Sequence, residues 1–383
     1  MTSVPPVWKI PFLWPQPARL SRLVSELEAI ENSGIYSNYG PVNARFEAAL
    51  TEQIFGGVGA CLTVNNATTG LMLAIREAAT LSEGRRYALM PSFTFAATAH
   101  AALWAGLTPL LCDIDPETWT ACPEAEERLL RSHEGRVACI VPYACFGNGI
   151  DLQRYERIAH DEGVGVVVDA AASIGSLDQQ GRGFGAGFPY ALVYSMHVTK
   201  TFATSEAGVV HCGDRERLAR LRAMGNFGFG APREATLPGL NSKLSEVGAL
   251  LAVAKLEGFD TVVSHRTALA AAYREQLPGF GFQRAIGVRQ AHQFMPVLLP
   301  DSCPISRAAI ITKLRSEGIG VGHYFSPHVA EQPYFAKTSV VGDLAVTRQV
   351  AARVLSLPMS DRMTFTEVSG ICDVLRHCVS RTA

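Results

Sequence analysis

Lysine is the scarcest charged residue in this chain of 383 residues. Six lysines, at positions 9, 200, 243, 255, 313 and 337, stand among 34 basic residues. Charge is thin overall, at 18% of residues with a formal net charge of −1. That balance gives no electrostatic reason to bind nucleic acid or an anionic membrane. No apolar run reaches the roughly 18 residues of a transmembrane helix, so no membrane partner is expected. The opening MTSVPPVWKIPFLWP is broken too often by proline to form the apolar centre of a signal peptide. The nine cysteines contain no CxxC pair. They fit reduced, buried thiols in a cytoplasmic protein better than a disulfide frame or a zinc site. No internal repeat or low-complexity tract is found. What remains is a globular chain, 48% hydrophobic, long enough for two or three domains or for one large and one small.

Apolar periodicity predicts helices at 20–32, stopped by Gly34, and at 41–53. Short apolar runs then alternate with helical patterns: 60–64, helix 68–80, 87–90, helix 94–105, 109–112, 137–141, helix 152–161 and 164–168. This rhythm of wholly apolar strands predicts an α/β fold with a mostly parallel sheet covered on both faces. Two strands, 190–195 and 208–212, lie close together before a helix at 214–224. A glycine- and proline-rich stretch, 228–240, reads as a loop able to move. After Phe259 the pattern changes. A helix at 262–276, strands at 294–299 and 320–325, and helices at 305–317, 344–355 and 366–379 suggest a smaller α+β C-terminal domain. The expected division is an N-terminal segment 1–34, a large domain 35–258 and a small domain 259–383.

Ligands of parallel α/β sheets sit at the carboxyl ends of strands, and four such ends stand out. In TVNNATTGLML the strand ends at Val64, and Ala67 and Thr68 open a helix. The free N–H groups of a helix start attract phosphate, although Asn66 or Thr68 could equally be a plain cap. In VGVVVDAAASIG, Asp169 follows four apolar residues. Buried there, its carboxylate needs a cationic partner, unless it only caps a turn. In VYSMHVTKTFATSEAGVV, Lys200 sits between two apolar runs. In an apolar site its amine becomes a usable nucleophile; otherwise it snorkels to water. In PSFTFAATAH, Phe93 and Phe95 are either core or a stacking surface for a flat ring. A phosphate cradle, a ring stacker, a buried aspartate and a strand-end lysine together match the needs of pyridoxal 5′-phosphate (PLP). The lysine forms the Schiff base, and the aspartate keeps the pyridine nitrogen protonated.

These stretches, with SNYGPVNARFEAAL, PSFTFAATAHAALWAGLTPLLCDIDPET, MGNFGFG and GLNSKLSEVGALLA, occur in one order from about Gly34 to Pro358. In that order the chain resembles the DegT/DnrJ/EryC1/StrS family of aminotransferases. The S-x-H-x-T-K form followed by GNFGFG is most similar to the branch containing dTDP-4-keto-6-deoxyhexose 4-aminotransferases. The resemblance implies a fold-type-I, aspartate-aminotransferase-like PLP enzyme. It implies that Lys200 binds the cofactor and shuttles protons, that Asp169 pairs with the pyridine nitrogen and that Phe95 stacks on the ring. It further implies that Ala67, Thr68 and Ser195 bind the phosphate. Asn241 would reach the phosphate of the partner subunit, which makes the enzyme a homodimer with shared sites. The amino donor would be an amino acid, glutamate first, and the acceptor a keto-sugar, nucleotide-linked, in a biosynthetic pathway. Tyr39, His323, Tyr324 and His328 are candidates for the substrate side.

Four positions depart from the family pattern. Asn66-Ala67-Thr68 replaces Ser-Gly-Thr, and Ala172 stands where Gln or His contacts the cofactor's phenolic oxygen. Glu206-Ala207-Gly208 replaces Glu-Gly-Gly, and Lys243 replaces an arginine. These changes bear on the substrate more than on the cofactor. They leave open an aminotransferase for a non-nucleotide ketone and a PLP enzyme that does not transaminate. A non-catalytic PLP binder fits poorly with a retained Lys200 and Asp169.

Overall fold

The apolar runs pair into two sheets. The structure is a computed structural model and describes residues 8–82 and 84–380. Residues 1–7 of the N-terminal segment, with half of the proline-broken opening, lie outside the described residues. In chain order the strands are β1 (Ala60–Val64), β2 (Tyr87–Pro91), β3 (Thr108–Cys112), β4 (Val137–Ile140), β5 (Gly165–Asp169), β6 (Ala191–Ser195), β7 (Gly208–Cys212), β8 (Gly281–Phe282), β9 (Met295–Leu298), β10 (Val340–Val341) and β11 (Val354–Leu357). The large sheet has the order β1-β7-β6-β5-β4-β2-β3-β10. Only β7 runs antiparallel to its neighbours in it. Strands β5, β6 and β7 are buried at every residue, as a sheet covered on both faces requires. This is the expected mostly parallel α/β architecture. A second, antiparallel sheet is β11-β9-β8. The late strand β10 joins the edge of the large sheet beside β3. No helix among the described residues is long and apolar enough to cross a membrane.

Local chemistry explains most element ends. Gly34, at φ 67°, closes the helix Val24–Ser33, and Pro41 opens the helix Pro41–Phe55. The helix Ala67–Ala79 lies so close to the sheet that a Cβ on Gly70 would stand 3.0 Å from Val193 Cγ1. The expected helix at 20–32 splits into a 3₁₀ turn, Leu20–Arg22, and the α-helix from Val24. The helices Pro123–Ser132 and Glu246–Leu256 were not anticipated. The 228–240 stretch is a closed turn, bridged between Phe229 and Ala235, with Thr236 N donating to Gly228 O at 2.9 Å.

Two expectations fail because long-range pairing decides them. Residues 320–325 form no strand. Gly322 makes a single bridge to Ser356, and the Tyr324 and Phe325 rings instead stack on Phe294 and Phe146. The expected helix at 344–355 ends at Arg353, and Val354–Leu357 leaves as β11 because β9 offers an antiparallel partner.

One buried carboxylate joins distant parts of the chain. Asp361 accepts from Lys255 Nζ at 2.9 Å and from Arg266 Nε and Nη2 at 2.8 and 2.7 Å. Lys255 also donates to Gln16 O, and Arg266 to the carbonyls of His292 and Gln293. All three charged side chains are close to fully buried. Removing its negative charge leaves two buried cations without a counter-charge. Asp361→Asn is therefore expected to cost about 3–5 kcal/mol, read as a lower urea midpoint at unchanged slope. A loss below about 1 kcal/mol would contradict this account.

Candidate active site

The strand ends of the large sheet meet at one edge. β1 and β6 flank β7, so Gly208 pairs with both Val64 and Ser195. Beyond Val64 the chain turns through Asn65 and Asn66 into the helix Ala67–Ala79. Asn66 Oδ1 caps it by accepting from Thr69 N at 2.9 Å. The helical ladder begins with Gly70 N donating to Asn66 O, so the amides of Ala67 and Thr68 precede it and are left for a ligand. A Cβ on Gly208 would stand 2.7 Å from Ala67 N and 2.8 Å from Asn66 C. Glycine alone allows that approach of strand to turn. Ser195 ends β6 with Oγ accepting from His197 N at 3.3 Å.

Asp169 ends β5 and is buried. Its Oδ2 accepts from Thr98 Oγ1 at 2.6 Å and its Oδ1 from Ala171 N at 3.1 Å. Both donors are neutral. Burial pushes the carboxyl above its usual range, against those two hydrogen bonds and the positive charge of Lys200. Lys200 lies in a turn closed by its own N–H donating to His197 O at 2.8 Å. Its Nζ donates to Gln293 Oε1 at 3.1 Å. Desolvation lowers its pKa to about 8, against the opposing pull of Asp169. The amine is therefore part neutral near pH 8, as a nucleophilic lysine must be.

These groups line one cavity of about 650 Å³. Ala67, Thr68, Phe95, Asp169, Ser195, Lys200 and Tyr324 are on its wall, so the structure brings most of the expected residues together. Phe95 is half exposed to it, and Phe93 is fully buried in an aromatic cluster with Phe146 and Phe325. Five expected residues lie outside its lining in the single chain. Ala172 is buried behind it, its carbonyl against Gly147. Asn241 is exposed and bridged to Asn226. Tyr39 lines a separate groove under the Arg222 guanidinium, 4.6 Å from its ring centre. His323 is exposed and bonded to Ser326 O. His328 is buried, with Nδ1 at 2.8 Å from Ser92 Oγ.

Sequence reasoning missed three residues of this site. Thr98 holds Asp169 from the helix Ala96–Trp104, where Thr94 Oγ1 lies 2.9 Å from Thr98 Oγ1. The signal was two threonines four residues apart, Thr94 just before the helix and Thr98 on its first turn. Gln293 is separated from Lys200 by 93 residues, and nothing local marks it. Tyr143, just past β4, is a buried phenol on the cavity wall that accepts from Phe146 N.

The whole chain is similar to known proteins. A model of the DegT/DnrJ/EryC1/StrS aminotransferase family matches residues 19–376. A crystal structure named as a PLP-dependent aminotransferase of Bacillus cereus superposes with a TM-score of 0.90 at 36% identity, covering 96% of this chain and 99% of the other. DesI, solved in the presence of its TDP-sugar product, superposes with a TM-score of 0.86 at 32% identity, covering 98% and 95%. The dTDP-4-amino-4,6-dideoxy-D-glucose transaminase of Shigella dysenteriae is 29% identical over 94% of this chain and 95% of its own. With a family model spanning nearly the whole chain, this protein belongs to the DegT/DnrJ/EryC1/StrS family and is a PLP-dependent aminotransferase.

Proposed function

We propose that this enzyme moves an amino group from glutamate to the keto carbon of a nucleotide-linked deoxysugar. The observation that carries the reading is that Lys200, an amine with a lowered pKa, and Asp169, a buried carboxyl, line one cavity. The donor set fits PLP. Ala67 and Thr68 amides with the Ser195 hydroxyl form an anion cradle that a Cβ on Gly208 would fill. Asp169 is buried with neutral donors only, and a protonated ring nitrogen would give it the cation it lacks. Phe95 offers an exposed face on the same wall. When bound, the cofactor supplies the electron sink that lets an amino group pass from one carbon to another.

The chain's own residues then divide the work. Lys200 holds the cofactor through its amine and, once released, carries the proton to and from the reacting carbon. Asp169, fixed by Thr98 and Ala171, holds the ring-nitrogen proton. Leu13, Phe294, Tyr324 and Phe325 make an apolar outer wall that excludes water and suits the flat apolar face of a deoxysugar. Asn241, outside the cavity of its own chain, serves the partner's phosphate site in a homodimer. Support for the sugar comes from DesI and the Shigella transaminase, whose names carry TDP-sugars. The enzyme then belongs to a cytoplasmic biosynthetic pathway for amino sugars, natural-product sugars among them.

One observation favours a second reading, a ketone without a nucleotide. Lys200 is the only lysine or arginine among the residues lining the cavity, and a diphosphate calls for more cations than that. Incubation with glutamate and dTDP-4-keto-6-deoxyglucose separates the readings. The proposal expects 2-oxoglutarate and an amino sugar in equal amounts. Conversion of glutamate alone, with the sugar untouched, would favour the non-nucleotide ketone. No 2-oxoglutarate would exclude glutamate as the amino donor.

Two further outcomes are expected. The neutral amine of Lys200 grows as pH rises through its pKa, so covalent loading with PLP should quicken with pH and level off, with a midpoint near 8. A midpoint near the ordinary lysine value of about 10.4 would contradict the apolar site. Gly208→Ala places a Cβ against backbone at 2.7 Å. It should weaken PLP binding roughly tenfold or more in equilibrium dialysis, about 1.4 kcal/mol, while the fold persists.

A further inference from the structure

The turn that carries Lys200 is stitched to a segment 93 residues later in the chain. Gln293 Nε2 donates to Thr199 O at 3.1 Å, and Gln293 Oε1 accepts from Lys200 Nζ at 3.1 Å. Thr201 Oγ1 donates to His292 O at 3.1 Å, so residues on both sides of Lys200 are bound to the same dipeptide. The amide orientation follows from chemistry. An ammonium can only donate and a carbonyl can only accept, so no other orientation satisfies both neighbours. The dipeptide is itself anchored, because Arg266 Nη1 donates to both carbonyls, at 3.0 and 3.1 Å. Arg266 is held in turn by Asp361.

We propose that Gln293 is the positioning residue for Lys200, the acceptor that parks and steers its amine whenever that amine is free. The inference rests on the reading of Lys200 as the cofactor lysine. Proton transfer by a released lysine needs a fixed starting point, because a four-carbon stem has many rotamers and only a few reach the reacting carbon. Gln293 provides that point from a bend two residues before β9, where Arg266 holds its carbonyl. A carbonyl oxygen also stabilises the charged form of the amine, so Gln293 moderates the desolvation that pushes Lys200 down. Other charged or titratable groups surround the amine. Asp169 lies at the end of β5, Tyr143 after β4, and His197 and Glu206 in the loop between β6 and β7. His197 Nε2 and Glu206 Oε1 are 3.3 Å apart and occupy each other. His292 is held neutral by burial, its pKa lowered to about 3. Arg266 is neutralised by Asp361.

Two variants isolate the acceptor from the stitch. Gln293→Leu and Gln293→Glu both lose the donor to Thr199 O. Only Gln293→Glu keeps an acceptor, and it adds negative charge. The full-length protein is loaded with pyridoxamine 5′-phosphate, the form that leaves Lys200 free. Competitive acetylation is then followed at the Lys200 peptide by mass spectrometry across pH. The midpoint should fall by about one pH unit in Gln293→Leu and rise by about one or more in Gln293→Glu. In Gln293→Leu, kcat should fall with KM little changed, because a steering contact to the amine is lost rather than a contact to substrate. A Gln293→Leu midpoint equal to that of the wild-type protein would overturn the proposal and leave Gln293 only as the clamp on Thr199. The readout is the ionisation of Lys200 itself, so it stands apart from whether PLP attaches there.

Discussion

Two side chains of opposite charge, Asp169 buried and Lys200 partly so, stand at the carboxyl ends of one sheet, and the rest of the site is arranged around that cost. Burial disfavours the charged form of both Lys200 and Asp169, and in each case it is the largest influence on the group. They do not pair directly. Lys200 is bonded to Gln293, and Asp169 to Thr98 and Ala171. A ligand with an electrophilic carbon at one end and a cationic nitrogen at the other relieves both at once. PLP has both features.

The edge can carry this burden because the fold braces it from behind. The turn at Ala67 presses on Gly208, and the turn at Lys200 is bound to residues 292 and 293. Those two residues hang on Arg266, and Arg266 shares Asp361 with Lys255. A chain of polar contacts thus runs from the helix Phe259–Gln276 to the Lys200 amine. Satisfied throughout, such a network sets geometry; broken at one point, it exposes charge to apolar surroundings. Precision at Lys200 is therefore bought far from Lys200.

Much of this was legible in the residues because it is local. Strand ends carry their signals within five or six positions: Val64 before Asn65-Asn66, four apolar residues before Asp169, and the apolar run before Lys200. Helix boundaries followed Pro41 and Gly34, whose backbone preferences act on the spot. What escaped is what depends on a distant partner. Residues 320–325 look like a strand, but their rings find an aromatic cluster instead of a ladder. Residues 354 and 355 continue a helical pattern, but β9 draws 354–357 into a sheet. Thr98 and Gln293 belong to the site only because the fold brings them to Asp169 and Lys200. The substrate guesses fared unevenly for the same reason. Tyr324 reaches the cavity through stacking on Phe294, whereas His328 is turned inward to Ser92.

The account turns on which of six lysines holds the cofactor. The direct measurement is to load the full-length protein with PLP, reduce the adduct with borohydride, digest it and locate the added mass. The account predicts the phosphopyridoxyl group on the peptide containing Lys200, at one per chain. Finding it on Lys9, Lys243, Lys255, Lys313 or Lys337, or finding none on protein that retains PLP, would contradict it.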